Sequence, residues 1–224
     1  MAKIALIISP NWRDYAEKYL QECLASLMLQ DYDGELKFFL VDNESNDKSR
    51  DYINNVCEKT LIGREWMIIV NEENSGFAKG NNVAMKEAID QGYEYLALIN
   101  MDGLAAPSFV SSLVLAMEQD NKVGAVQARI MLWPETDKIN SLGNITHFLG
   151  FGYCEGNGQK YIEDNSISGF KEIAYPSGAA VLLRSSALAK IGLFDEEFWM
   201  YNEDQDLGWR LWLAGYSCIL ANQA

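Results

Sequence analysis

Five short runs rich in Ile, Leu, Val and Phe begin at residues 3, 36, 66, 95 and 123, and the chain between them changes hydrophobic period. The runs, 3–8, 36–41, 66–70, 95–100 and 123–130, have strand length and composition. The segments 14–30, 47–59, 77–91 and 108–120 read as helices; in the first, Ala16, Leu20, Cys23 and Leu27 share one face. A crossover long enough to hold a helix joins parallel strands, so the pattern specifies an α/β fold: a mostly parallel central sheet flanked by helices, its strands buried on both faces. Ligands in such sheets bind beyond the carboxyl ends of the strands. That rule lines up Ser9-Pro10-Asn11, Asp42-Asn43-Glu44-Ser45, residues 71–76 and Asn100-Met101-Asp102 along one edge.

The second half has another texture. Residues 132–175 are rich in Gly, Asn and Ser with weak periodicity, and predict irregular structure with short hairpins. A strand over 179–184, a short helix over 185–192, a helix over 203–215 closed by Gly215 and a last strand over 217–220 follow. No repeat or low-complexity linker separates the halves, so one domain in two parts is expected.

With 49% hydrophobic and 22% charged residues the chain is of ordinary globular composition. Its 32 acidic against 18 basic residues give a net charge of −14, which excludes nucleic acid as the main partner and disfavours purely electrostatic docking on anionic lipid. Cys23, Cys57, Cys154 and Cys218 form no Cys-x-x-Cys pair and are expected as small buried hydrophobes in a reducing compartment. The N-terminal apolar run stops at Pro10, too short for a secretion signal, and no stretch nears the roughly 18 apolar residues of a membrane span. A cytoplasmic protein, free or in peripheral contact with the inner face of a membrane, is the expectation.

Four segments can carry chemistry. Asp102 follows a buried run; a carboxylate there either caps a turn or holds a hard cation beside a diphosphate, since Mg²⁺ binds with one or two carboxylates and completes its shell from phosphate and water. In residues 74–82, Asn-Ser-Gly-Phe-Ala-Lys-Gly-Asn-Asn, Gly76 and Gly80 permit close backbone approach at a helix start, which favours anions. It is neither a dinucleotide fingerprint nor a Walker loop. Asp42, Asn43 and Ser45 can accept from a base or ribose, or equally form an Asx-turn. In residues 194–210 six acids are interleaved with Phe, Trp and Tyr, a pattern suited to a sugar-holding wall around Trp199 and Tyr201 with a desolvated base at Glu203 or Asp204. The single histidine, His147, lies in the Gly/Asn-rich stretch and supports no nucleophilic triad.

In this order and spacing, the motifs resemble the inverting glycosyltransferases of family 2, which have the GT-A fold, and most closely their rhamnosyltransferase-like branch. The segments that carry the resemblance are residues 7–11 with Asp42-Asn43-Glu44-Ser45, residues 74–82, Leu-Ile-Asn-Met-Asp-Gly at 98–103, and residues 176–215 with Asn-Glu-Asp-Gln-Asp-Leu-Gly-Trp-Arg at 202–210. The resemblance implies a single GT-A domain over 1–224, residues 1–131 being the nucleotide-sugar-binding half and 132–224 the acceptor-binding and catalytic half. It implies that Ser9, Asn11, Asp42 and Asn43 line a nucleoside pocket, and that Asn74, Gly76, Phe77, Asn81, Asn82 and Asn100 lie near the diphosphate-sugar. Asp102 would match the metal-binding Asp, for Mg²⁺ or Mn²⁺. Asp204 would match the general base, with Glu203 supporting it and Trp199 and Tyr201 facing the acceptor. The implied donor is a nucleotide-diphosphate sugar of UDP or dTDP type; the implied acceptor is a saccharide, free or lipid-linked.

Two features depart from the family pattern. Asn100-Met101-Asp102 keeps one carboxylate where members often have two, so the cation is expected to bind mainly with the nucleotide. Members also usually run on past the Gly-Tyr at 215–216, often with a late His; the expectation is a domain truncated after Ala224 or a short member with an incomplete acceptor side. The competing readings are a non-catalytic nucleotide-sugar-binding domain and a nucleotidyltransferase. The second lacks the Gly-rich basic loop it needs after the first strand.

Overall fold

A computed structural model describes residues 1–11, 13–45, 47–162 and 170–224, without the side chains of Pro10, Asn11 and Asp47. The first half alternates β1 (Ile4–Asn11), α1 (Tyr15–Leu27), β2 (Leu36–Asn43), α2 (Asp47–Thr60), β3 (Glu65–Asn71), α3 (Gly76–Asp90), β4 (Tyr95–Ile99), α4 (Phe109–Met117) and β5 (Val123–Ala128). The irregular region holds β6 (Ile130–Met131), β7 (Ile139–Ser141), β8 (Asn144–Thr146), β9 (Gly152–Cys154) and β10 (Lys171–Glu172). The chain closes with β11 (Ala180–Arg184), α5 (Ser185–Ile191), α6 (Glu203–Leu213) and β12 (Ser217–Ala221).

The central sheet has eight strands in the order β10-β12-β5-β11-β4-β1-β2-β3. Alternate residues of β1 point to opposite faces, as a strand requires. Ile4, Leu6 and Ile8 join a core with α1, α2 and α4, while Ala5 and Ile7 join a second core with α3, α5 and α6. The result is three layers with a sheet in the middle. Helix α6 ends in a Schellman-type turn: Gly215 has φ +83°, and the Tyr216 N–H reaches Leu211 O at 3.0 Å.

β11 inserts antiparallel between β4 and β5, with Ala180 opposite Ile99 and Leu182 opposite Val126. Hydrophobic period encodes a strand and not its direction, so the run at 179–184 could not announce this. Two expectations need correction. β3 is not buried on both faces: it is the sheet's edge, and Glu65 and Val70 are exposed. Cys154 is exposed rather than buried, because β9 belongs to a two-stranded hairpin with β8 outside the main sheet.

Candidate active site

The insertion of β11 builds the site. The chain enters β11 beside the point where it leaves β4, and the Asn100 N–H donates to Ala179 O at 2.9 Å. One residue earlier the Gly178 N–H donates to Asp204 Oδ2 at 3.4 Å. Two consecutive residues of one turn therefore tie the β4 exit, which carries Asp102, to the first turn of α6, which carries Glu203 and Asp204.

The approach to α6 is unusual. Tyr201 and Asn202 both have left-handed backbones, φ +71° and +70°, directly before Glu203. Strain of this kind persists only where surrounding contacts over-determine it, and it clusters at functional sites. Glu203 is 5% exposed and its Oε2 has no partner among the described residues. Burial pushes its pKa up to about 7. Burial also raises Asp204, against the backbone N–H groups of Gly178 and Gln205 that favour its charged form. Trp199 and Tyr201 are exposed, at the surface beside this helix start.

Residues 194–199 are fastened to α3. The Asn82 amide brackets Phe194, donating to its carbonyl at 2.9 Å and accepting its N–H at 3.1 Å, and donates also to Glu196 Oε1. The Phe77 N–H donates to Trp199 O at 2.8 Å. Gly76, with φ +74°, makes this approach possible: a Cβ there would overlap the Trp199 carbonyl and lie 2.7 Å from its ring. Asn81 is buried; its amide donates to Phe77 O, and its Oδ1 has no partner.

The exits of β1 and β2 are knit internally. Ser9 Oγ accepts the Met101 N–H at 2.9 Å. Asp42, fully buried, accepts the Ser45 N–H and O–H on one oxygen and Arg50 Nε at 2.9 Å on the other, so its Asx-turn forms. Asn43 donates to Asn74 Oδ1 and Gly76 O and accepts from Asn71 and Ser75. The Asn11 side chain lies outside the described residues.

Asp102 is exposed at the rim of a cavity of about 670 Å³, whose wall includes Asn100, Leu104, Met131, Trp133 and Ala180. Its Oδ2 accepts the Tyr15 O–H at 2.7 Å. Burial, then the Asp102 charge, raises the Tyr15 pKa above its ordinary value. Asp204 is not in that wall; its partner Gly178 directly precedes Ala179 and Ala180, which are.

Several participants carried no sequence signal. Tyr15 lies 87 positions from Asp102. Gln205 Nε2 donates to Gly150 O at 3.0 Å and to Thr146 Oγ1, fixing the β8–β9 hairpin against α6. The hairpin tip stacks His147 on Phe151, with centroids 4.3 Å apart. Arg210 is the exception, since its pairing with Asp206 follows from their spacing of four on a helix.

The sheet is mostly parallel, its β4 exit is tied to an acidic helix start, and this is the arrangement the comparisons match to glycosyltransferases. The chain belongs to glycosyl transferase family 2, matched over residues 7–192. It is 41% identical over 139 residues to an N-acetylglucosaminyl-diphospho-decaprenol L-rhamnosyltransferase of Mycobacterium tuberculosis. That match takes in 58% of this chain and 45% of the relative, so the chain spans less than half the relative's length. A mannosyltransferase from Pyrobaculum calidifontis, solved with GDP-Man and Mn²⁺, superposes with TM-score 0.70 at 17% identity, over 99% of this chain and 55% of that one. S. aureus TarS 1–349 in complex with UDP gives TM-score 0.67 at 19% identity, over 99% and 58%.

The residues at the β4 exit fit a divalent cation. Among the described residues no group bonds Asp102 Oδ1, and Asn100 Oδ1, two residues away, is buried without a partner. One carboxylate plus diphosphate oxygens is a set that Mg²⁺ uses. Among the described residues no cluster of three or more His, Cys, Asp or Glu forms a self-sufficient metal site. No helix among them is long and apolar enough to cross a membrane.

Proposed function

We propose that this chain transfers a sugar from a nucleotide-diphosphate donor of UDP or dTDP type to the hydroxyl of a saccharide acceptor, with inversion at the anomeric carbon. Asp204 is the general base: it takes the acceptor's proton as that oxygen attacks C1 from the face opposite the diphosphate, through an oxocarbenium-like transition state. One observation carries the assignment. The Asp204 carboxylate is oriented by two backbone N–H groups while burial raises its pKa, and the turn that orients it is bonded to the β4 exit. A base both fixed and made more basic is what proton abstraction from an alcohol needs.

Glu203 is the neighbour of Asp204 in the chain, and its burial disfavours a second charge beside the base. Asp102 would hold Mg²⁺ or Mn²⁺, whose chemistry when bound is to offset the charge of the departing diphosphate. Ser9, Asn11, Asp42 and Asn43 shape the nucleoside side, and residues 74–82 with Asn100 shape the diphosphate-sugar side. Trp199 and Tyr201 offer exposed rings to the acceptor. The name of the M. tuberculosis relative supports a lipid-linked saccharide as acceptor; a cytoplasmic protein would meet it at the inner face of the membrane.

The test is a thermal-shift series of UDP-, dTDP- and GDP-sugars with Mn²⁺, followed by product analysis with the best donor. A donor at 100 times its Kd should add about 2.7 kcal/mol of stability. The product should carry the anomeric configuration opposite to the donor's. A product of retained configuration, or no shift with any nucleotide sugar, refutes the reading.

A further inference from the structure

We propose that Tyr15 is the positioning residue for Asp102: its hydroxyl holds one carboxylate oxygen so that the other alone faces the cation and diphosphate. The inference rests on the reading above in which Asp102 holds the cation. Tyr15 opens α1, and its O–H donates to Asp102 Oδ2 at 2.7 Å. No other described group bonds Asp102, which sits exposed on a turn past β4. Without Tyr15 the carboxylate has only solvent to set its rotamer.

Three further observations favour an orienting role. The Tyr15 ring packs on Tyr19 with centroids 4.7 Å apart, so the hydroxyl is delivered from a fixed ring. Helix α1 touches the same strand exit a second time, where Cys23 Sγ lies 3.9 Å from Asn100 O. The donor is also neutral: a Lys or Arg in its place would compete with a cation for the carboxylate, whereas a phenol orients it and leaves its charge in place. In a motif reduced to Asn-Met-Asp, the protein's negative charge toward the cation comes from Asp102 alone, so its orientation matters more than in a motif with two carboxylates.

The experiment titrates Mn²⁺ into the chain in saturating UDP and follows free Mn²⁺ by electron paramagnetic resonance. Tyr15→Phe, Asp102→Asn and Tyr32→Phe are compared with the parent; the last deletes a remote hydroxyl that donates to Ala2 O. Groups that orient a metal ligand typically contribute 10- to 100-fold in affinity, so Tyr15→Phe is expected to weaken Mn²⁺ binding by about tenfold. Its metal-free unfolding midpoint should stay with the parent, because the ring pair with Tyr19 is kept. Asp102→Asn should abolish the nucleotide-dependent Mn²⁺ signal, and Tyr32→Phe should leave it alone. Parental affinity in Tyr15→Phe together with loss in Asp102→Asn overturns the role of Tyr15 only. Parental affinity in Asp102→Asn overturns the cation reading of Asp102 itself.

Discussion

The exits of β1 and β2 and the start of α6 use their polar side chains differently. At the exits of β1 and β2 hydrogen-bonding capacity goes into the fold: Asn43 alone joins Asn71, Asn74, Ser75 and Gly76, Asp42 is divided between Ser45 and Arg50, and Ser9 holds the Met101 N–H. At the start of α6 capacity is left over. Glu203 Oε2 has no partner among the described residues, and Asp204 is held by backbone N–H groups alone. Polarity at a strand exit thus marks architecture as readily as chemistry, and remaining capacity separates the two. In the first half Asp102 is the carboxylate of the site that resembles α6, with no described group on Oδ1 and a neutral donor on Oδ2.

Exchanging groups of the two kinds should give opposite signatures. Asp204→Asn keeps the shape and one of the two backbone hydrogen bonds, since its amide has a single acceptor oxygen, and removes the base; transfer should fall by at least ~10²-fold while donor binding by thermal shift is retained. Equal rates would remove Asp204 from its role. Gly76→Ala should act on stability. A Cβ at φ +74° is strained and also overlaps the Trp199 carbonyl, so unfolding should be easier by about 3 kcal/mol in urea. Asn82→Ala comes next, since it removes the partner of both backbone groups of Phe194; a loss of about 2 kcal/mol in urea is expected.

The same contrast explains what could be read from sequence. The regular half was legible because period distinguishes helix from strand: α2 and α3 fall within a residue of the expected bounds, and the exits of β1, β2 and β4 share one edge. The place of β11 was not legible, because strand direction and neighbour are decided by tertiary packing of a run that reads the same either way. The site divided along similar lines. Glu203-Asp204 stood out because acids rarely alternate with large aromatics, but nothing local told that Glu203 would be the more deeply buried of the two. Tyr15 was invisible for another reason: it flanks the buried face of α1, and its partner is fixed only once β4 lies beside β1.

The smallest predicted effect concerns Glu203 and depends on pH. Its carboxyl has an ordinary value of 4.5 and is raised by burial to about 7 in the folded chain. Between those values the folded state binds more protons at this site than the unfolded state, so this group lowers stability as pH rises through that range. The cost is absent below 4.5 and complete above 7. Glu203→Gln mimics the protonated form and should therefore stabilise the chain at pH 8, by roughly 1–2 kcal/mol after allowing for partial solvent access, and leave it unchanged at pH 4. Chemical denaturation at the two pH values measures the difference directly. An Asn43→Asp change, introducing an acid into the saturated network of the first half, should instead be destabilising at pH 8, because a buried carboxylate replaces an amide that donates to Asn74 and Gly76. If both substitutions moved stability in the same direction with pH, leftover capacity at α6 would not distinguish it from the architectural polar groups at the β2 exit.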